Sequence, residues 1–284
     1  MFRLKSRTPL APIHLLLGIG LGAASAAEFH VSPSGSDANP GSHNAPFQTL
    51  GAARDAARKL AGKEAVTVRV ADGVYYLPET LVFEPADSGT TAHPIQYTAE
   101  NEGGAVISGG LKLDLKWTPF RDGIYQASTP PGVSIDQLFI QGSRQRMARY
   151  PDFDAAKTTA AYQGYAADAF SNKRAAKWSD PAGAFIHAMH VSRWGGYHYR
   201  ITGKKADGSV AYEGGWQNNR QMGMHPEFRM VENVFEELDA PGEWFHNAKT
   251  GILYFMPEPG ADLNAATVEV VRLRHLVEFQ GSER

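Results

Sequence analysis

The chain has 284 residues, 43% hydrophobic and 20% charged, with a formal net charge of −2 and no cysteine. That length can bury a sizeable core and hold two domains, while the missing cysteines exclude thiol catalysis, thiolate metal sites and disulfide stapling. A mildly acidic balance with no basic block argues against nucleic acid or an anionic membrane surface as a partner.

At the N-terminus, Arg3, Lys5 and Arg7 form a basic stretch, Ile13 to Leu21 an apolar one, and Ala23 to Ala27 a run of small residues. This is the order of a secretory signal peptide, and the apolar run is shorter than the roughly 20 residues that a membrane span needs. Residues 1–27 are therefore expected to be removed after Ala26 or Ala27. The mature protein would be secreted or periplasmic, free of the membrane, and its net charge would fall from −2 to −5 because the lost segment holds three basic and no acidic residues.

Residues 29 to 60 read as a short strand, a Gly/Asn/Pro/Ser turn cluster and an amphipathic helix. Thr49 is a good N-cap, because its hydroxyl can accept an orphan N–H of the first turn. Leu50, Ala53, Ala57 and Leu60 fall on one helical face, and Gly62 follows where a terminating glycine belongs. Strand-like sequence comes next, so this lone helix is expected to cap the open end of a solenoid. Asp37, Asn39 and Gly41 carry a faint calcium-loop pattern that a plain turn explains better.

From 65 to 114, short strands alternate with turns: Val66, Val68 and Val70 interleave with Thr67 and Arg69, and further runs follow at Val74–Leu77, Leu81–Phe83, Ile95–Ala99 and Val106–Ser108. Composition alone gives an all-β protein, sandwich or solenoid, without a clean repeat. After Trp117 the pattern becomes hairpins: Gln137–Ile140 with Arg144–Ala148, Tyr199–Ile201 with Val210–Tyr212, and Glu243–Phe245 with Ile252–Phe255. Hairpins make antiparallel sheets, so 115–262 is read as a separate antiparallel β-domain and Thr267–Val271 as the return of the solenoid. The Ala-rich segment from Tyr162 to Pro181 fits a short helix or a loop equally.

Candidate chemistry gathers in FIHAMHVSRWGGYHYR and GGWQNNRQMGMHP. His187 and His190 fall on opposite faces of a strand, so with His198 they do not form a metal site; no metal and no cofactor is implied. Trp194, Tyr197, Tyr199 and Trp216 lie among glycines, close to His198, Asn218, Asn219, Arg220 and His225. Sugar C–H faces stack on aromatic rings and sugar hydroxyls need amide, guanidinium and imidazole partners, so Trp194, Tyr197, His198, Trp216, Asn218, Arg220 and His225 are the candidate substrate-binding residues. The competing reading is that the rings fill a sheet core with their polar tips at its edge. The acidic runs Asp152-Asp154 and Glu236-Glu237-Asp239-Glu243 read as solvated faces rather than a glycosidase carboxylate pair. No catalytic residue can be named.

The stretches FHVSPSGSDANPGSHNAPFQTLGAARDAARKL and VTVRVADGVYYLPETLVFEPADSG resemble the entry to a right-handed parallel β-helix, pectin-lyase-like, of exported carbohydrate-active enzymes. LFIQGSRQRMARYPD, the segment from EGGWQNNRQMG to LYFMPEPG, and VEVVRLRHLVEFQGS are similar to β-helix proteins around glycoside hydrolase family 141. The resemblance implies 28–114 as cap and first rungs, 115–262 as an inserted β-domain and 263–284 as the returning β-helix, with the catalytic rungs mostly beyond Arg284. It implies hydrolysis of a poly- or oligosaccharide by paired carboxylates in the complete protein, and no activity in this stretch alone. The alternatives are a β-helix polysaccharide lyase, or a noncatalytic glycan-binding surface protein.

Overall fold

The computed structural model describes residues 26–217, 220–221 and 223–281; the expected signal segment up to Ser25 lies outside them. The protein is mainly β, with a few short helices and several separate sheets, none closed into a barrel. It divides into two compact units. The first comprises the described residues up to Tyr75, Thr80–Ile107 and those from Val277 on; the second comprises Tyr76–Glu79 and Ser108–Leu276.

In the first unit, the Leu50–Arg58 helix begins as the sequence predicts. Thr49 Oγ1 accepts the Ala52 N–H at 3.1 Å, and Leu50, Ala53 and Ala57 are buried. Asp37, the residue with the calcium-like pattern, is a structural acceptor: its carboxylate takes the N–H groups of Gln48 and Thr49 and the Thr49 hydroxyl at 2.8–2.9 Å. Strands Ala27–Val31, Val66–Val70 and Ile95–Ala99 form a parallel sheet in strict register, with Phe29, Val68 and Tyr97 aligned and Val31, Val70 and Ala99 aligned. Strands Gly73–Tyr76 and Ala105–Ser108 form a second sheet, and Leu81–Phe83 pairs in parallel with Val277–Phe279. Each strand of the series 66–70, 73–76, 81–83 thus pairs with its counterpart in the series 95–99, 105–108, 277–279.

The second unit holds the hairpins predicted from turn residues, at Leu138–Ile140 with Ser143–Arg144, Gly196–Lys204 with Val210–Gly214, and Glu243–Asn247 with Ile252–Met256. Its boundaries lie outside the 115 and 262 read from the sequence. Val268–Val271 is not a solenoid strand: it lies antiparallel between Gly110–Leu113 and Leu138–Ile140. Val268 and Val270 bury alongside Leu113, Leu138, Trp244 and Leu253 in one core. Alternation told which residues face inward, but an alternating strand does not name the sheet that it joins.

A five-stranded antiparallel sheet carries the features of interest. Its order is Arg149–Tyr150, Met224–Glu232, Phe185–His190, Gly196–Lys204, Val210–Gly214. One face buries Ile186, Ala188, Tyr199, Ile201 and Val231 against Trp178. In the segment left open by the sequence, Asn172–Ala175 is a short helix capped by Ser171. It is fixed by Glu237, whose carboxylate accepts Trp178 Nε1–H at 2.7 Å and Arg174 Nη1–H at 2.9 Å.

Candidate functional site

The last residues of Phe185–His190, the first of Gly196–Lys204 and Met224–Glu232, and the end of Val210–Gly214 meet at one end of this sheet. There the chain turns tightly from His190 to Gly195. His190 N–H donates to Gly195 O at 2.8 Å, Arg193 N–H to His190 O at 2.7 Å, and Ser192 N–H to His190 Nδ1 at 2.9 Å. As an acceptor, Nδ1 leaves the ring proton on Nε2. The turn presents Trp194 flat on the His190 ring, with centroids 4.8 Å apart, planes 17° apart and 75% of the indole residue exposed. Tyr197 is 5.9 Å from the same imidazole and half-buried against the core.

Two further elements reach this end. Gly215 has φ +69°, and a Cβ there would meet the Tyr199 ring at 2.1 Å, so only glycine lets the chain cross that ring. Trp216 follows it at 61% exposure. On the other side, Tyr162 stacks on Phe228 at 5.4 Å and His225 on the same ring at 4.3 Å, while the Arg193 guanidinium lies 5.5 Å over Tyr162. His225 Nδ1 accepts the N–H groups of Glu227 and Phe228, which fixes its tautomer and its orientation. The result is an exposed aromatic surface with a guanidinium and imidazole N–H groups at its margin, suited to stacking on apolar faces and hydrogen-bonding to hydroxyls.

Of the residues singled out from the sequence, Trp194, Tyr197, Trp216 and His225 converge on this end. His198 does not: it follows Tyr197 in the strand and so lies on the opposite face, its ring edge-on to His187 at 4.5 Å. Partial burial, helped by the charge of His187, lowers its pKa. Asn218 lies outside the described residues, and Arg220 is placed only by its backbone, opposite Gln217. Sequence reading missed Tyr162, Arg193 and Phe228; they sit in three segments with no local periodicity to connect them. It did place His187 and His190 on opposite faces, as they are. Among the described residues, no group of three or more His, Asp or Glu could hold a metal ion.

The acidic run requires a correction. Glu237 and Glu243 are buried, not solvated. Neither oxygen of Glu243 has a hydrogen-bond partner. Burial, then the charges of Asp152 and Asp239, push its pKa up to about 9; the backbone amides of Asp239 and Arg149 pull weakly the other way without closing a hydrogen bond. Glu243 is therefore a neutral carboxylic acid at neutral pH. Glu232, on the sheet face shared with His187, behaves oppositely. Burial raises its pKa, but the 2.7 Å bond from His187 Nε2 and the charges of His187 and Arg149 outweigh that and hold it below the ordinary range.

No protein-family model matches the chain, and no curated protein matches it. Among solved structures, it is similar to one described as a glycoside hydrolase, with 22% identity, a TM-score of 0.67 and coverage of 90% of this chain but 48% of the other. A second, described as a complex of XylC with xylose, aligns at 16% identity and a TM-score of 0.39 over 88% of this chain and 32% of that one. The chain thus spans about half the length of the glycoside hydrolase whose fold it shares.

Proposed function

We propose that the chain is part of an exported carbohydrate-active protein, a glycoside hydrolase resembling family 141. In this reading the first unit opens a right-handed parallel β-helix, into which the second unit is inserted as a sugar-binding domain. The stepwise pairing of 66–70, 73–76 and 81–83 with 95–99, 105–108 and 277–279 supports two successive coils. The observation that carries the functional part is the exposed aromatic end of the five-stranded sheet, where Trp194 lies open on His190, Arg193 covers Tyr162 and Trp216 is exposed.

Hydrolysis of a glycosidic bond needs one carboxyl as general acid and another as base or nucleophile across an open cleft. Glu237 is tied to Trp178 and Arg174, Glu243 is sealed and Glu232 is bonded to His187. Those commitments favour sugar binding as the task of this stretch and leave bond cleavage to the whole protein. They also support a second reading, glycan binding without cleavage. Incubating the protein with neutral plant and microbial polysaccharides, while following binding by affinity electrophoresis and products by reducing-end assay, tests both. Retardation that Trp194→Ala abolishes supports the sugar-binding surface; saturated products would identify a hydrolase, unsaturated ones a lyase. No retardation by any glycan would overturn the reading.

A further inference from the structure

A second feature of the same unit has its own chemistry. A cavity of about 350 Å³ is walled by Arg144, Arg146, Arg149, Glu232, Trp244 and, at its rim, Asp136. Arg149 is only 7% exposed. Its Nε donates to Pro151 O at 2.9 Å and its Nη2 to the Met230 sulfur at 3.1 Å. Among the described residues no carboxylate comes within ion-pair reach of it, and Nη1 has no partner although it is not sealed from the cavity. A buried guanidinium is costly unless an anion compensates it. Three acids act on it through their charge, Glu232, Glu243 and Asp152, none of them in an ion pair with it: Glu232 gives an oxygen to His187, and burial pushes the Glu243 carboxyl up.

The lining is equally one-sided. Trp244 walls the cavity, but its indole N–H, though without an acceptor, is sealed from it. Arg146 lies over Phe153, its guanidinium carbon 3.4 Å from the ring centre. Three guanidiniums face two carboxylates, so positive charge is in excess around the cavity. A planar oxyanion supplies the missing negative charge, and guanidiniums can meet it through paired N–H bonds. The volume falls within the roughly 300–1,000 Å³ of small-molecule sites, larger than a bare anion requires. Asp136, Gln145 and Glu232 offer acceptors for hydroxyl groups.

We propose that this cavity is a subsite for the carboxylate of an acidic sugar, with Arg149 as the buried anchor and Arg144 as its exposed partner. The proposal rests on the glycan-binding reading above and places a uronate unit of the bound saccharide here. Isothermal titration at low salt and neutral pH with D-galacturonate, D-galactose, sodium acetate, sodium sulfate and cellohexaose tests it. Galacturonate should bind at least about tenfold tighter than galactose, as expected for an added charge-assisted pair, and tighter than acetate, which brings no hydroxyls for Asp136, Gln145 and Glu232. Arg144→Ala should weaken galacturonate alone and leave the melting temperature unchanged; it serves where Arg149→Ala fails to fold. If galacturonate binds no better than galactose while cellohexaose still binds, this proposal falls and the glycan reading stands. If acetate or sulfate matches galacturonate, the cavity takes a bare anion and the sugar assignment is wrong. If neither galacturonate nor cellohexaose binds, the glycan reading falls and takes this subsite with it.

Discussion

Arg193 holds its guanidinium 5.5 Å over the ring of Tyr162, and both residues have left-handed backbone, with φ of 63° and 61°. For residues with a Cβ that conformation costs on the order of 1 kcal/mol each, and such costs concentrate where geometry serves binding. Arg193→Gly should therefore keep or slightly raise the melting temperature while lowering affinity for neutral oligosaccharides. Calorimetric melting beside affinity electrophoresis checks both halves; unchanged affinity would remove Arg193 from the binding surface.

Trp194 and Trp178 should separate binding from stability. Trp194 is mostly exposed, so Trp194→Ala should change stability by no more than about 0.5 kcal/mol and abolish glycan retardation. Trp178 is buried and donates to Glu237, so Trp178→Ala should cost about 3–5 kcal/mol. Denaturant unfolding of both variants is the measurement, and a large loss for Trp194→Ala would make that ring part of the packing instead.

Glu243 predicts a fall in stability with rising pH. Its folded pKa of about 9 stands above the ordinary 4.5. Between those values the unfolded chain releases a proton that the folded one retains, at up to about 1.4 kcal/mol per pH unit. The penalty is absent below pH 4.5 and full above pH 9. Glu243→Gln should raise the melting temperature at pH 8 and change it little at pH 4. A difference independent of pH would show that the carboxyl is not held protonated.

Glu232 has the opposite sign. Its folded pKa is depressed below the ordinary 4.5, so its contribution is present above that value and lost as pH falls through the folded one. Glu232→Gln should destabilise at neutral pH and converge with the parent in acid. Melting curves from neutral to strongly acid pH decide it, and a difference that persists in acid would contradict the depressed Glu232 pKa.

Local features were legible in the sequence and long-range ones were not. The Thr49 cap, the helix face and the three hairpins rest on residues close in the chain, where capping and turn chemistry act directly. The pairing of Gly110–Leu113 with Val268–Val271 joins segments far apart, and nothing in either run names the other. The same holds for the site. Trp194, Tyr197, Trp216 and His225 were visible as aromatic and imidazole groups among glycines. Tyr162 and Phe228 were not, because only the folded sheet end brings them to Arg193. Glu243 looked like one more surface acid because charge in a sequence carries no burial label, and Arg149 was hidden for the same reason.

The facing of Gly110 and Val271 across one ladder has a consequence for how such a protein changes over time. Near its two ends, the Ser108–Leu276 segment of the second unit faces itself across this ladder, so everything between is a loop already closed by its own sheet. Closing a longer connection costs only about 0.6 kcal/mol per doubling even when it is slack, and here the inserted fold brings its own ends together. Loops of the five-stranded sheet that lie between Gly110 and Val271 can therefore lengthen or shorten without opening this closure. Ligand preference and scaffold can drift independently.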